Sequence, residues 1–143
     1  MNDFSHLQAV DVPKGRTAKF QLWMLAGKPT LEVRCAAEPN KDYFNELLRR
    51  TGKNYRQVRA GVIDHELLEE NRAHNRALFP KFVIVGWSGV KNRSGDDVPF
   101  TTEDAVGFVK CLPDWVFDEL VTFCGNVMNF VESGADAGSV AKN

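Results

Sequence analysis

Long apolar runs, a signal-like start, paired cysteines and an excess of one charge are all missing from this 143-residue chain. No stretch approaches the roughly 18 apolar residues that a helix needs to cross a bilayer. The opening MNDFSHLQAVDVPKG has neither a basic start nor an apolar run of signal-peptide length. The three cysteines, Cys35, Cys111 and Cys124, are odd in number, widely spaced and outside any CxxC, so they make no disulfide framework. Cys111 and Cys124 have apolar neighbours and read as small core residues, which suits a reducing compartment. A cytoplasmic protein is the expectation. A net charge of −1 supplies no global attraction to nucleic acid or membrane.

Signatures of chemistry are equally scarce. Gly86-Trp87-Ser88-Gly89 lacks the third glycine of a dinucleotide loop and the Lys-Ser/Thr pair of a P-loop, and it is not a GxSxG nucleophile elbow. His65-Glu66-x-x-Glu69 has the start of a zinc motif without its second histidine; His74 is nine residues on rather than four. Asp96-Asp97 has no spaced third ligand and reads first as turn chemistry. No Ser/His/Asp or Cys/His set stands out. The expectation is a protein that is not an enzyme and holds no cofactor or metal.

What is present is a set of short amphipathic segments, enough for one domain over residues 1–131. Residues 1–15 form a loose arm and 132–143 a small, polar, flexible tail. TAKFQLWML (17–25) places Ala18, Phe20, Leu22 and Met24 on one side. TLEVRCA (30–36) places Leu31, Val33 and Cys35 on one side, and Ala26-Gly27-Lys28-Pro29 turns between them. This predicts a β-hairpin, whose apolar face must cover a helix or another chain because an isolated hairpin is marginal in water.

Helices follow. Asn40 caps a segment with Tyr43, Phe44, Leu47 and Leu48 at helical spacing, and Gly52 stops it. Asp64 caps 65–79, with Leu67, Leu68, Leu78 and Phe79 inward and Asn71 and Asn75 interrupting the stripe; Pro80 then breaks or kinks it. KFVIVGW (81–87) is too short for periodicity to choose between strand and helix. Thr101 caps 102–111, with Asp104 three residues on and Phe100 positioned to staple onto Ala105. Pro113 suits a first helical position of a long final helix. The fold class expected is α+β, mainly helical with four to five helices and an N-terminal hairpin.

That final helix carries the main functional hint. Stepped by about 100° per residue from Asp114, the residues Val116, Phe117, Leu120, Val121, Phe123, Cys124, Val127, Met128, Phe130 and Val131 fill about half the circumference, where an ordinary surface helix needs about 100°. The surplus suggests a contact with another chain; the plainer alternative is that the hairpin and other helices cover the whole arc. Phe123→Ser separates the two, unfolding a core but only unbinding an interface. The charges are also uneven. Lys14 to Arg59 holds 11 Lys/Arg against 4 Asp/Glu, and Glu103 to Asp136 holds 7 Asp/Glu against Lys110 alone. Two solvated faces account for this, as does head-to-tail self-association. Within the basic stretch, Arg49, Arg50, Lys53, Arg56 and Arg59 surround Tyr55. No RNA- or DNA-binding motif accompanies them, so neither nucleic acid nor membrane is an expected partner.

The pattern in Val83–Val90, Gly95, Val98–Asp104, Leu112–Asp114 and Asn129-Phe130 resembles the tail assembly chaperones of long-tailed bacteriophages. The upstream helices at Asn40 and Asp64–Phe79 suit the same layout, and the resemblance spans residues 17–131. It implies a non-enzymatic protein of the host cytoplasm. Such a protein binds the tape measure protein, keeps it soluble, helps recruit the major tail tube protein and self-associates. On that reading the candidate contact residues are Trp115, Phe123, Phe130, Val127 and Trp87. The resemblance also implies a longer frameshifted form. Ala141-Lys142-Asn143 can be encoded GCA-AAA-AAC, which contains a slippery heptamer, and codons such as GCC or AAG would break it. Two other classes stay open: a minor tail or tail-completion protein, detectable in purified particles, and a nucleic-acid-binding regulator using Arg49–Arg59, detectable by a salt-dependent gel shift.

Overall fold

The structure, a computed structural model, describes residues 1–9, 11–52, 56, 60–61 and 64–131. Alternating apolar residues form β1 (Thr17–Gln21) and β2 (Thr30–Arg34), paired antiparallel with Ala18 opposite Val33 and Phe20 opposite Leu31. The expected turn lies between them, with Gly27 and Lys28 both at positive φ. Helices α1 (Lys41–Thr51) and α2 (His65–Phe82) follow, then β3 (Ile84–Ser88), α3 (Thr102–Cys111), α4 (Asp114–Gly125) and a 3₁₀ turn at Val127–Asn129. This is an α+β fold: a small antiparallel sheet and four helices among the described residues.

The three N-caps read from the sequence are in place. Asn40 accepts from the Tyr43 amide, Asp64 from Leu67 and Thr101 from Asp104. Gly52 ends α1 at φ 54°, a conformation that costs glycine little.

Four expectations change. Residues 81–87 are both things in succession: Lys81 and Phe82 finish α2, and Ile84 starts a strand on the free edge of β2. The hairpin thus becomes a three-stranded sheet in the order β1-β2-β3. Pro80 does not stop α2, which runs two residues further to Phe82, and Val83 still donates to the Phe79 carbonyl beyond it. Leu68 does not face inward; it is half-exposed. The final helix ends at Gly125 rather than Val131, and Asn126 re-caps the chain by accepting from the Met128 amide.

The core lies where the sheet meets the helices. Leu31 and Val33 from β2, Phe79 from α2, Val109 from α3 and Phe117 from α4 are completely buried. Phe79 is its centre, edge-on to Tyr43 with centroids 6.0 Å apart and to Phe117 at 5.4 Å. The asparagine interrupting the α2 stripe is part of the packing: buried Asn75 accepts the Tyr43 hydroxyl at 2.5 Å and ties α1 to α2.

Candidate functional site

The Gly86–Gly89 segment takes its form from packing. The β2–β3 register shifts between Glu32 and Val33, which leaves Val85 turned outward. Gly86 then sits opposite Glu32, and a Cβ there would lie 3.3 Å from the Glu32 Oε1. Trp87 donates its indole N–H to the Val98 carbonyl at 2.8 Å and packs on Phe100 and Phe108, with centroids at 5.0 and 5.2 Å. One half-buried tryptophan therefore holds the 89–100 loop against α3. Phe100 meets this ring. The Asp96-Asp97 turn closes on itself: Asn92 bonds both ways with the Asp96 backbone, and Asp97 accepts from Lys91 at 2.7 Å.

The five candidate contact residues do not form one patch. Trp115, at the start of α4, is 57% exposed. Phe123 stacks on Phe20 of β1 at 4.7 Å and meets Phe130 at 6.0 Å, so the apolar face of the hairpin covers this part of α4. Phe130 is fully buried, because the bend at Asn126 returns the chain to the core; it offers no surface in the folded protein. Val127 and Trp87 are half-buried. Among the described residues, exposed large apolar side chains include Trp115 and Met128 near α4 and, elsewhere, Trp23, Leu68 and Val85, with Met1, Phe4 and Leu7 in the N-terminal arm.

These placements give opposite expectations for two aromatic residues. Phe123→Ser should lower stability in urea by about 3 kcal/mol, because it opens a gap against Phe20 and Phe130. Trp115→Ser should stay within about 0.5 kcal/mol, as exposed substitutions do. An unfolding midpoint unchanged by Phe123→Ser would contradict the packing described.

The acidic start of α4 is met from inside the chain by two arginines that sequence reading passed over. Arg72 grips Asp118 with two bonds, 2.9 and 2.7 Å, and this pairing raises the arginine's pKa. Arg76 donates to the carbonyls of Val109 and Leu112 and to the Asp114 carboxylate at 2.7 Å, with its guanidinium 4.8 Å from the Phe117 ring centroid. It thereby caps the end of α3 and the start of α4 together. A hint was present: the four-residue step from Arg72 to Arg76 matches that from Asp114 to Asp118. Nothing local shows that the two pairs meet.

The other sequence candidates are dispersed. In the basic run, Arg49 is held by Glu46, while Lys53, Tyr55 and Arg59 lie outside the described residues, as does the 132–143 tail. His65 is exposed and pairs with Glu69 one turn on; His74 is half-buried. Cys111 is exposed, whereas Cys35 and Cys124 are buried, and desolvation pushes the Cys124 thiol far above its ordinary range. Among the described residues, no three His, Cys, Asp or Glu side chains come together as a metal site would need, and no helix is long and apolar enough to cross a membrane.

The fold thus defines a small α+β protein, with helices locked onto a three-stranded sheet and its remaining open apolar side chains scattered over the surface. Within that class, the chain belongs to the YdaY prophage protein family, whose sequence model matches residues 39–141. The protein is therefore phage-associated. No curated protein and no solved structure matches the chain.

Proposed function

We propose that this protein is a tail assembly chaperone of a long-tailed phage. It binds the tape measure protein in the host cytoplasm, keeps it soluble and helps bring tail tube subunits to it, without catalysing a reaction. The observation that carries this reading is the coincidence of a prophage family with the sequence pattern Val83–Val90, Val98–Asp104 and Leu112–Asp114. Exposed Trp23, Leu68, Trp115 and Met128 support it, since large apolar side chains in water suit a protein that contacts others. The same side chains make self-association part of the proposal.

Co-expression with the tape measure protein of the same phage tests it. The expected result is a tape measure protein that moves from the pellet to the soluble fraction and co-purifies with this chain. A tape measure protein no more soluble with the chain than without it would sink the proposal.

A further inference from the structure

Helices α2 and α3 pack side by side and leave a groove of about 420 Å³ lined by Ala73, Arg76, Ala77, Lys81, Val106 and Lys110. Ala73 and Ala77 are one turn apart on α2, and Val106 and Lys110 one turn apart on α3, so each pair shares a helix face. The apolar floor is made of small side chains. A third helix can settle onto such a floor at the 8–10 Å axis spacing, roughly, of ordinary helix packing.

Among the described residues, no carboxylate lines the groove. Of its cations, Arg76 is committed to the Val109 and Leu112 carbonyls and to Asp114. Lys81 and Lys110 are exposed, and neither forms an ion pair among the described residues. Glu46 feels the charge of Lys81, but its carboxylate is already held by Arg49 at 2.7 Å. The groove therefore offers an apolar floor with two uncommitted ammonium groups.

We propose that this groove docks an amphipathic helix whose apolar stripe is flanked by carboxylates. The stripe covers Ala73, Ala77 and Val106, and the carboxylates meet Lys81 and Lys110. Nucleic acid fits less well: among the described residues no aromatic ring lines the groove to stack a base, and two ammonium groups make a short phosphate track. That the helix comes from the tape measure protein rests on the function proposed above; the chemistry of the groove does not.

The test is a titration of the full chain into a fluorescein-labelled synthetic helical peptide, read by polarisation. The peptide carries leucine and alanine at i, i+3, i+4 and i+7 with glutamate on either side. Its controls are a scrambled peptide and one with lysine for every glutamate. Micromolar binding is expected for the acidic helix, with both controls weaker by roughly tenfold or more. Lys81→Glu combined with Lys110→Glu should weaken it by a similar factor, as should Ala73→Glu, with circular dichroism unchanged at these exposed positions. Equal binding of the scrambled peptide, or a double charge reversal within about twofold of wild type, overturns the proposal.

Co-expression separates this failure from that of the chaperone reading. A tape measure protein solubilised equally by wild type and the double variant removes that protein as the occupant of the groove and leaves the chaperone. Groove-dependent peptide binding without any solubilisation removes the chaperone and leaves the groove.

Discussion

Asn40→Asp should lower stability by about 4 kcal/mol at neutral pH, more than Asn40→Ala does. Asn40 is 3% exposed and makes three bonds at one junction. Its Oδ1 accepts the Tyr43 amide at the start of α1. Its Nδ2 donates to the Cys35 carbonyl at 2.8 Å, just past β2, and to the Phe82 carbonyl at 2.9 Å, at the end of α2. Alanine removes the cap and leaves two carbonyls without their donor, a loss of about 3 kcal/mol. Aspartate keeps the cap acceptor but turns a carboxylate oxygen toward both carbonyls, adding repulsion between buried acceptors.

The same variant carries a pH signature. A buried carboxyl facing carbonyls has a folded pKa above its unfolded value of about 3.9. Between the two values the folded state binds more protons, so stability falls as pH rises and recovers as pH is lowered through the folded pKa. Urea unfolding at several pH values should show Asn40→Asp gaining on Asn40→Ala in acid. An aspartate variant within about 1 kcal/mol of wild type at neutral pH would show that Asn40 acts only as a cap.

Arg76→Ala should cost about 3 kcal/mol, against about 1 kcal/mol for Arg72→Ala, although both arginines face acids on α4. The pairs differ in what surrounds them. The Asp118 carboxylate of the Arg72 pair is half-exposed, so water takes over much of a lost interaction. The two arginines are similarly buried, 26% and 20% exposed at the side chain, but Arg76 also donates to two carbonyls where α3 ends. Removing it takes the Arg76 donor from the Leu112 carbonyl, leaves the Val109 carbonyl with the long 3.3 Å bond from the Leu112 amide, and uncovers one face of Phe117. Arg76→Lys should recover part of the loss, since an ammonium keeps the charge but not the guanidinium fork. Equal midpoints for the two alanine variants would mean that the double cap contributes nothing beyond a surface ion pair.

Much of this molecule could be read one element at a time. Asn40, Asp64 and Thr101 announce their helices because a cap depends on a side chain and an amide three residues away. The hairpin is legible because alternation with period two needs no partner to be seen, and the buried positions Leu31, Val33 and Cys35 follow from it.

Residues 81–87 were not legible. Their strand exists because β2 has a second edge to pair with, and that edge lies some fifty residues back along the chain. The arc on α4 misled for a related reason. Helical stepping assumes that the helix continues, whereas Cys124 gives its carbonyl to Ala36 and Asn129 reaches back to the Phe123 carbonyl. The chain bends, Phe130 enters the core, and Phe123 packs on Phe20 of the hairpin. The candidate site was therefore read one-sidedly. Trp115 has the exposure a contact residue needs, while the groove of Ala73, Ala77 and Val106 gave no signal, since alanine and valine become a docking floor only when two helices meet.

By itself the sequence determined the hairpin, the capped helix starts and the buried face of β2, because these follow from spacing and from bonds made within one turn, while Leu68 and Cys111, read as inward, are exposed. Only the tertiary structure decided the third strand, the arginine clamp at the α3–α4 junction and which apolar surface stays open. Each of those depends on groups far apart in the chain, whose meeting is set by how the whole core closes around Phe79 and Phe117.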